Sequence, residues 1–233
     1  MFRRIVKKFV YLIAPGVIPR FRLLFQLLQL LQLRCKMAGR SLPEVVEQVS
    51  ASPFAPVQKK QEITSLLSFL QQKRPIHICE VGGAAGGTLF LFSHIAPPGA
   101  RLLSIDLGYT SFHQSIYRRF AKRNQTITCL AANSHLPETV ETVRRWLAGS
   151  SLDFLFIDGE HTLEGVTRDF YLYSPLVRKG GWIAFHDIVT PRIPNPNQQV
   201  PVFWADLKKR YSRVLEFVEN PDQDGYGIGL IEV

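Results

Sequence analysis

The sequence predicts an α/β fold: a doubly wound, mostly parallel sheet of seven strands, one of them antiparallel in a C-terminal hairpin. Three observations carry that prediction. A short apolar, β-branched run, Ile76 to Val81, leads through a turn with glycines at 82, 83, 86 and 87 into the apolar segment Thr88 to Ser93, which is the strand–turn–helix opening of such a sheet. Strand-like runs then alternate with helix-like ones as far as residue 187, as parallel strands with right-handed crossovers require. Finally, the last two strand-like runs stand too close together to hold a helix and must pair as a hairpin.

The first forty residues divide at Ala14-Pro-Gly-Val-Ile-Pro19, which should break any helix. Before it, residues 2–13 mix paired basics with Phe, Val, Tyr and Ile. After it, Phe21 to Met37 is almost continuous Leu and Gln, with Arg22, Gln26, Gln29, Gln32 and Lys36 on one side of a helix and an apolar arc too wide for an ordinary surface helix. Three readings fit this arm: packing on the body of the chain or on another subunit in a homo-oligomer, lying in a membrane interface, or targeting. A transmembrane span is disfavoured by two prolines, a glycine and two arginines between Phe9 and Leu33. A signal peptide is disfavoured by Pro15 and the lack of a small-x-small site.

Residues 41–57 read as a connector with one short helix, Pro43 to Val49. The chain therefore divides into a basic, Leu/Gln-rich extension with its connector, 1–57, and a catalytic-looking domain, 58–233. Gln58 to Gln72 is an amphipathic helix with Ile63, Leu66, Leu67 and Leu70 on one face. The following strands are Arg101 to Asp106, Gln125 to Ala131, Leu152 to Asp158 and Gly181 to Asp187, with helices at Ser111 to Lys122, Pro137 to Leu147 and His161 to Val177 between them. A Pro/Asn-rich loop, Pro191 to Gln199, has the length of a lid. A helix, Phe203 to Tyr211, and the hairpin of Leu215 to Val218 with Tyr226 to Val233 complete the chain.

Charge narrows the partners. The net charge of +9 sits on the arm: residues 1–40 carry nine Lys or Arg and no acid, leaving 19 basic against 19 acidic side chains in the remainder. A body without a basic surface argues against nucleic acid. The three cysteines, Cys35, Cys79 and Cys129, have no metal or redox spacing, which suits a reducing, cytoplasmic setting.

In an open α/β sheet ligands bind beyond the carboxyl ends of the strands. Those ends carry Glu80 with the glycines, Asp106, Asn133-Ser134, Asp158 with His161, and His186-Asp187. A carboxylate at Asp106, 24 residues after Gly82, is placed to accept both hydroxyls of a ribose, and Asn133 and Ser134 can bond an adenine edge. Asp158, Asp187 and His186 could together hold a hard divalent cation, with His161 left as a general base. Each has a structural reading as well: a strand-end Asp is often a helix cap, and His186 can serve only to fix its loop.

The series Glu80-Val-Gly-Gly-Ala-Ala-Gly-Gly, Ser104-Ile-Asp106, Asn133-Ser-His135, Phe156-Ile-Asp-Gly-Glu-His161 through Asp169, and Phe185-His-Asp-Ile188 resembles class I S-adenosylmethionine-dependent methyltransferases. The branch it resembles holds sugar and small-molecule O-methyltransferases, among them macrolide-sugar, rhamnosyl and catechol O-methyltransferases. The resemblance covers about residues 58–233 and implies a Rossmann-like fold and methyl transfer to a hydroxyl of a sugar or other small polyhydroxyl acceptor. Glu80, Gly82 and Gly86 would shape the methionine pocket, Asp106 would hold the ribose, and Asn133 and Ser134 would face the adenine. Mg²⁺ on Asp158 and Asp187, with His161 as the base, is also implied; His186 stands where metal-dependent members carry a carboxylate, so a metal-free route through His161 stays open. Ala84 departs from the family's middle glycine. Two other classes remain beside this one: a nicotinamide-dependent oxidoreductase, disfavoured by the missing G-x-G-x-x-G and by the hairpin, and a non-catalytic module with the same fold.

Overall fold

The computed structural model describes residues 17–233; the basic segment expected at 2–13 and the first part of the break at 14–19 lie outside the described residues. Seven strands form one sheet: β1 His77–Val81, β2 Arg101–Asp106, β3 Thr126–Ala131, β4 Leu152–Ile157, β5 Val177–His186, β6 Val214–Phe217 and β7 Ile228–Glu232. Their order is β3-β2-β1-β4-β5-β7-β6. β7 pairs antiparallel with both β5 and β6, while the pairs among β1 to β5 are parallel. β1 has β2 on one side and β4 on the other, so the chain reverses its direction of travel across the sheet there, and the loops after β1 and β4 diverge to open a crevice.

Register makes the crevice a single rim. Val81 lies opposite Ile105 and Ile157, and Ile157 opposite Phe185. The next residues along, Gly82, Asp106, Asp158 and His186, therefore emerge at one level.

Alternation along the strands sends side chains to two cores. Ile78, Leu102, Phe154, Phe156, Trp182 and Ala184 face one layer of helices: α1 Val17–Met37, α2 Leu42–Ser50, α3 Lys60–Lys73, α4 Gly87–Ile95 and α5 Ser111–Tyr117. Cys79, Val81, Leu103, Leu155, Ile157, Ile183 and Phe185 face the other, made of α6 Pro137–Leu147, α7 Leu163–Tyr173 and α8 Val200–Leu207. Leu30, Leu33 and Met37 of α1 and Val45, Val46 and Val49 of α2 belong to the first core, so one face of the Leu/Gln-rich segment packs on the body of the chain.

Several boundaries differ from the sequence-based expectation, each for a local reason. α1 starts at Val17, within the expected break, because Pro19 falls in its first turn, where the missing N–H has no helical partner to lose. α8 starts at Val200 with Pro201 in the same role. α7 ends at Tyr173 and a 3₁₀ turn, Ser174–Leu176, follows with Pro175 inside it. β5 begins four residues early, taking in Gly180 at φ +72° and a shift in register against β4, the kind of irregularity that glycine tolerates.

Candidate active site

The turn after β1 is tied to both neighbouring strands. The Gly82 N–H donates to the Ile105 carbonyl at 2.9 Å, and the Asp158 N–H donates to the Val81 carbonyl at 2.8 Å. Gly82 has φ +88°, and a Cβ there would overlap the Asp158 backbone. This close crossing, rather than ligand access alone, is why only glycine fits. Asp106 holds the rest of the turn: its Oδ2 accepts from the Gly83 and Ala84 N–H groups at 3.1 and 2.8 Å, and its Oδ1 from the Gly108 N–H at 2.6 Å. Ala84, the departure from the glycine pattern, is accommodated at φ +40°. Gly86 caps α4 at φ +80°.

Glu80 lies behind this turn and is fully buried. Ser104 Oγ donates to its Oε2 at 2.5 Å and is itself 2.7 Å from the Tyr109 hydroxyl. Its other oxygen, Oε1, has no partner among the described residues. Burial pushes the Glu80 carboxyl up to about 8, against the Ser104 hydrogen bond and with help from the charges of Asp158 and Asp106.

A cleft of about 500 Å³ runs along the rim. Gly82, Asp106, Asn133, Ser134, Asp158, Glu160, His161 and His186 all line it. Of the residues expected to serve the cofactor, Glu80 and Gly86 are not on its wall: one is buried beneath the turn and the other caps the helix. A second cavity, of about 660 Å³, adjoins the first and shares Gly159, Glu160 and His161 with it. Its walls carry Asp187, Asn195, Asn197, Gln198, Asp224 and Tyr226 beside Val57 and Pro191. The Pro/Asn-rich loop thus forms one side of it, and His161 stands between the two spaces.

The ionisable groups converge here. His161 bridges two carboxylates, with Nδ1 at 3.0 Å from Asp187 Oδ2 and Nε2 at 3.5 Å from Asp158 Oδ1. Hydrogen bonds to Asp158 and Asp187 raise His161 to about 10, so it carries a proton at neutral pH. Asp158 is held below its usual value: burial disfavours its charge, but the charge of His186 and the hydrogen bond from His161 outweigh that. Gln58 Nε2 donates to Asp158 Oδ2 at 2.6 Å. His186 is 2% exposed, against 34% for the His161 side chain, and its Nδ1 lies 3.1 Å from Asp158 Oδ1 and 3.6 Å from Asp187 Oδ1. Burial works against its charged form, yet the charge of Asp158 raises it above the ordinary histidine value.

Asp158, His161 and Asp187 each turn one ligand atom inward, all within 4.8 Å of one another. Two carboxylate oxygens suit a hard cation, and an imidazole nitrogen widens the choice to first-row transition ions; the residues fit a divalent metal. His186 stands behind this group, against Asp158.

Residues 79–188 match the sequence model of a methyltransferase domain. Those residues are a methyltransferase domain. They include the glycine turn, Asp106, Asn133, Ser134 and the whole carboxylate–histidine group. The fold is also that of solved class I methyltransferases. One is the O-methyltransferase TomG of Streptomyces achromogenes, involved in tomaymycin synthesis and solved with S-adenosylmethionine: TM-score 0.59 and 15% identity over 83% of this chain and 91% of that one. Another is an O-methyltransferase of Bacillus cereus in complex with S-adenosylhomocysteine, with a TM-score of 0.56 and 18% identity over the same shares. A curated relative, the uncharacterized protein R132 of Acanthamoeba polyphaga mimivirus, is 50% identical over 38 residues, and that match spans 16% of this chain and 17% of the relative.

Parts of the site in and around the methyltransferase domain escape a reading of motifs. Gln58 precedes it, is buried, and links Asp158 to Thr88, whose Oγ1 donates to Gln58 Oε1 at 2.8 Å; nothing marks a glutamine at the start of an expected helix as a partner of an acid 100 residues away. Val57 lines both cavities. Tyr109 supports Ser104 and lies so close under Gly83 that a Cβ there would overlap its hydroxyl. His135, on the wall of the first cleft, has Nε2 at 3.2 Å from the fully buried Asp169, which explains the acid at the end of the Asp158-to-Asp169 motif. Burial raises that carboxyl.

Proposed function

We propose that this chain transfers the methyl group of S-adenosylmethionine to a hydroxyl oxygen of a small polyhydroxyl acceptor, a sugar by preference. The observation that carries the reading is the pair of adjoining cavities with His161 on their common wall. The first has what a sulfonium nucleoside needs: Asp106 for the ribose hydroxyls, Asn133 and Ser134 for the adenine edge, and a tight turn shaped by Gly82, Gly86 and the buried Glu80 for the methionine part. Asp106 already accepts three backbone N–H bonds, and a carboxylate has about four acceptor sites; ribose hydroxyls would compete for its free lone pair and for the rim. The second cavity sets amides and acids among apolar side chains, which gives the hydroxyls of such an acceptor hydrogen-bond partners.

His161 faces the acceptor side and is the base in this proposal. The acceptor oxygen attacks the methyl carbon, the C–O bond forms, the C–S bond breaks with its electron pair left on sulfur, and the hydroxyl proton passes to the imidazole. That last transfer needs His161 to have lost the proton it holds between Asp158 and Asp187. A divalent cation such as Mg²⁺, held by Asp158 and Asp187, would acidify the acceptor hydroxyl and take up the negative charge that keeps His161 protonated. His186, buried against Asp158, fixes that carboxylate's orientation, as does Gln58. Cys79 and Cys129 are buried free thiols, which supports a reducing, cytoplasmic setting.

The test is turnover with S-adenosylmethionine and a panel of sugars, nucleotide sugars and catechols, with and without Mg²⁺. Mass spectrometry would follow S-adenosylhomocysteine and the methylated product. Methylated sugar formed at a rate that depends on His161 is expected. Calorimetric binding of NAD⁺ in place of S-adenosylhomocysteine would hand the fold to the oxidoreductase reading, and cofactor binding without turnover on any acceptor class would favour the non-catalytic one.

A further inference from the structure

Helix α1 is apolar on two opposite faces. Leu30, Leu33 and Met37 are buried against the body, with Leu23 and Leu27 partly buried beside them. On the other side Phe21, Leu24, Phe25, Leu28 and Leu31 follow one another at helical spacing, each between 48% and 67% exposed. Single exposed leucines are ordinary, but a continuous stripe of five large apolar side chains marks an interaction surface.

The charge of the segment that carries the stripe says what covers it. Residues 1–40 hold nine Lys or Arg and no acid. Arg34 and Lys36 stand in the last turn of α1; among the described residues the Arg34 guanidinium turns toward the body and donates to the carbonyls of Arg119 at 2.7 Å, Phe120 at 3.2 Å and Ala121 at 3.2 Å, with no carboxylate to neutralise it. Between this end of the helix and the body is a cavity of about 500 Å³ lined by Arg34, Arg40, Lys122 and Arg123 with Met37, Phe90 and Phe120, and no acid lines it. Of these cations Arg40 is paired, with Glu44 at 2.8 Å, and Lys122 Nζ donates to the His94 carbonyl.

We propose that the outward face of α1 docks on an anionic lipid bilayer, the Phe/Leu stripe entering the headgroup boundary and the basic side chains of the segment, Lys36 among them, attracted to the lipid phosphates. A stripe of leucine and phenylalanine bordered by Lys and Arg is the composition of an interfacial helix, and anionic lipid adds attraction for each basic side chain near its surface. At 1.5 Å per residue the 21 residues of α1 are about 30 Å long, and they lie along the surface rather than across it: among the described residues no helix is long and apolar enough to span. A second copy of the chain fits the stripe less well. Two such helices face to face would bring their cations together with no acid in residues 1–40 to offset them. Nucleic acid would use the cations and leave the Phe/Leu stripe in water.

Flotation of the full chain with vesicles of phosphatidylcholine alone, and of phosphatidylcholine with phosphatidylglycerol, tests this. The chain is expected to float with the anionic vesicles, to float less as salt rises, and to stay behind with neutral ones. The double variant Phe25→Asp/Leu28→Asp should lower the bound fraction by about tenfold or more, with melting temperature and methyl transfer in solution unchanged, since both side chains are exposed and far in sequence from the rim. Failure to float with anionic vesicles, equal binding to neutral ones, or full binding by the double variant would each overturn the proposal. A dimer in sedimentation equilibrium that the double variant dissolves, without vesicle binding, would assign the face to a second copy instead.

Discussion

His161 is the residue whose chemistry depends most on its neighbours. Clamped between Asp158 and Asp187, it is raised to about 10, whereas an unclamped imidazole would be free to accept a proton at neutral pH. His161→Ala should reduce kcat by about 10²-fold or more, while the dissociation constant for S-adenosylhomocysteine, measured by calorimetry, changes little, because His161 is not among the residues expected to hold the nucleoside. Near-normal turnover in that variant would retire the base assignment. Glu80 permits a prediction with a sign. Its folded carboxyl is pushed up from 4.5 to about 8 by burial. Between those values the folded chain keeps a proton that the unfolded chain has lost. The stability that Glu80 contributes is therefore whole below about pH 4.5 and falls away as pH rises through about 8. Glu80→Gln keeps the shape without the titration, so the melting temperature of the variant relative to the wild type should climb between about pH 5 and pH 8. A difference that stays flat across that window would mean that Glu80 is ionised in the fold.

Glu62 shows how one buried carboxylate can join two elements. It sits in the first turn of α3 at 1% exposure. Its oxygens accept from the Gly227 N–H at 2.9 Å, Gln223 Nε2 at 2.7 Å and the Glu219 N–H at 3.3 Å, so it pins the loop of the β6–β7 hairpin to the other end of the domain. Glu62→Ala leaves those donors without a partner and should cost about 2–4 kcal/mol, read as a lowered midpoint in urea with the hairpin amides exchanging fastest. An unchanged midpoint would mean that water replaces the carboxylate. This link shows where legibility stops. The hairpin itself could be read from two strand-like runs too close for a helix, and α6 from Pro137 at its start to Leu147. Glu62 could not, because an acid in the first turn of a helix looks like an ordinary dipole partner and its ligands lie more than 150 residues away. The strand-end acids were legible because topology alone sends them to one rim. Which of them pair, and that His161 rather than His186 is the exposed histidine, depends on side-chain packing that no spacing encodes.

At the scale of the whole molecule, the rim is assembled from segments that no local interaction would bring together. Asp106 ends β2, and Asn133, Asp158 and Asp187 follow β3, β4 and β5; they meet because the register sets the tips of β3, β2, β1, β4 and β5 level. A ligand spanning that rim binds the folded chain and has nothing to bind in the unfolded one, so its binding energy adds to the stability of the entire sheet. S-adenosylhomocysteine at a hundred times its dissociation constant should raise the unfolding free energy by about 2.7 kcal/mol, seen as a melting temperature that climbs with the logarithm of ligand concentration. NAD⁺ at the same concentration should leave it unmoved, since the turn has no G-x-G-x-x-G path for a pyrophosphate. Asp106→Asn removes the charge and one acceptor oxygen from the anchor of the glycine turn, so it should lower the starting melting temperature and flatten the response to S-adenosylhomocysteine together. A variant that responds like the wild type would place the nucleoside away from Asp106, and the assignment of the first cleft to the cofactor would fall with it.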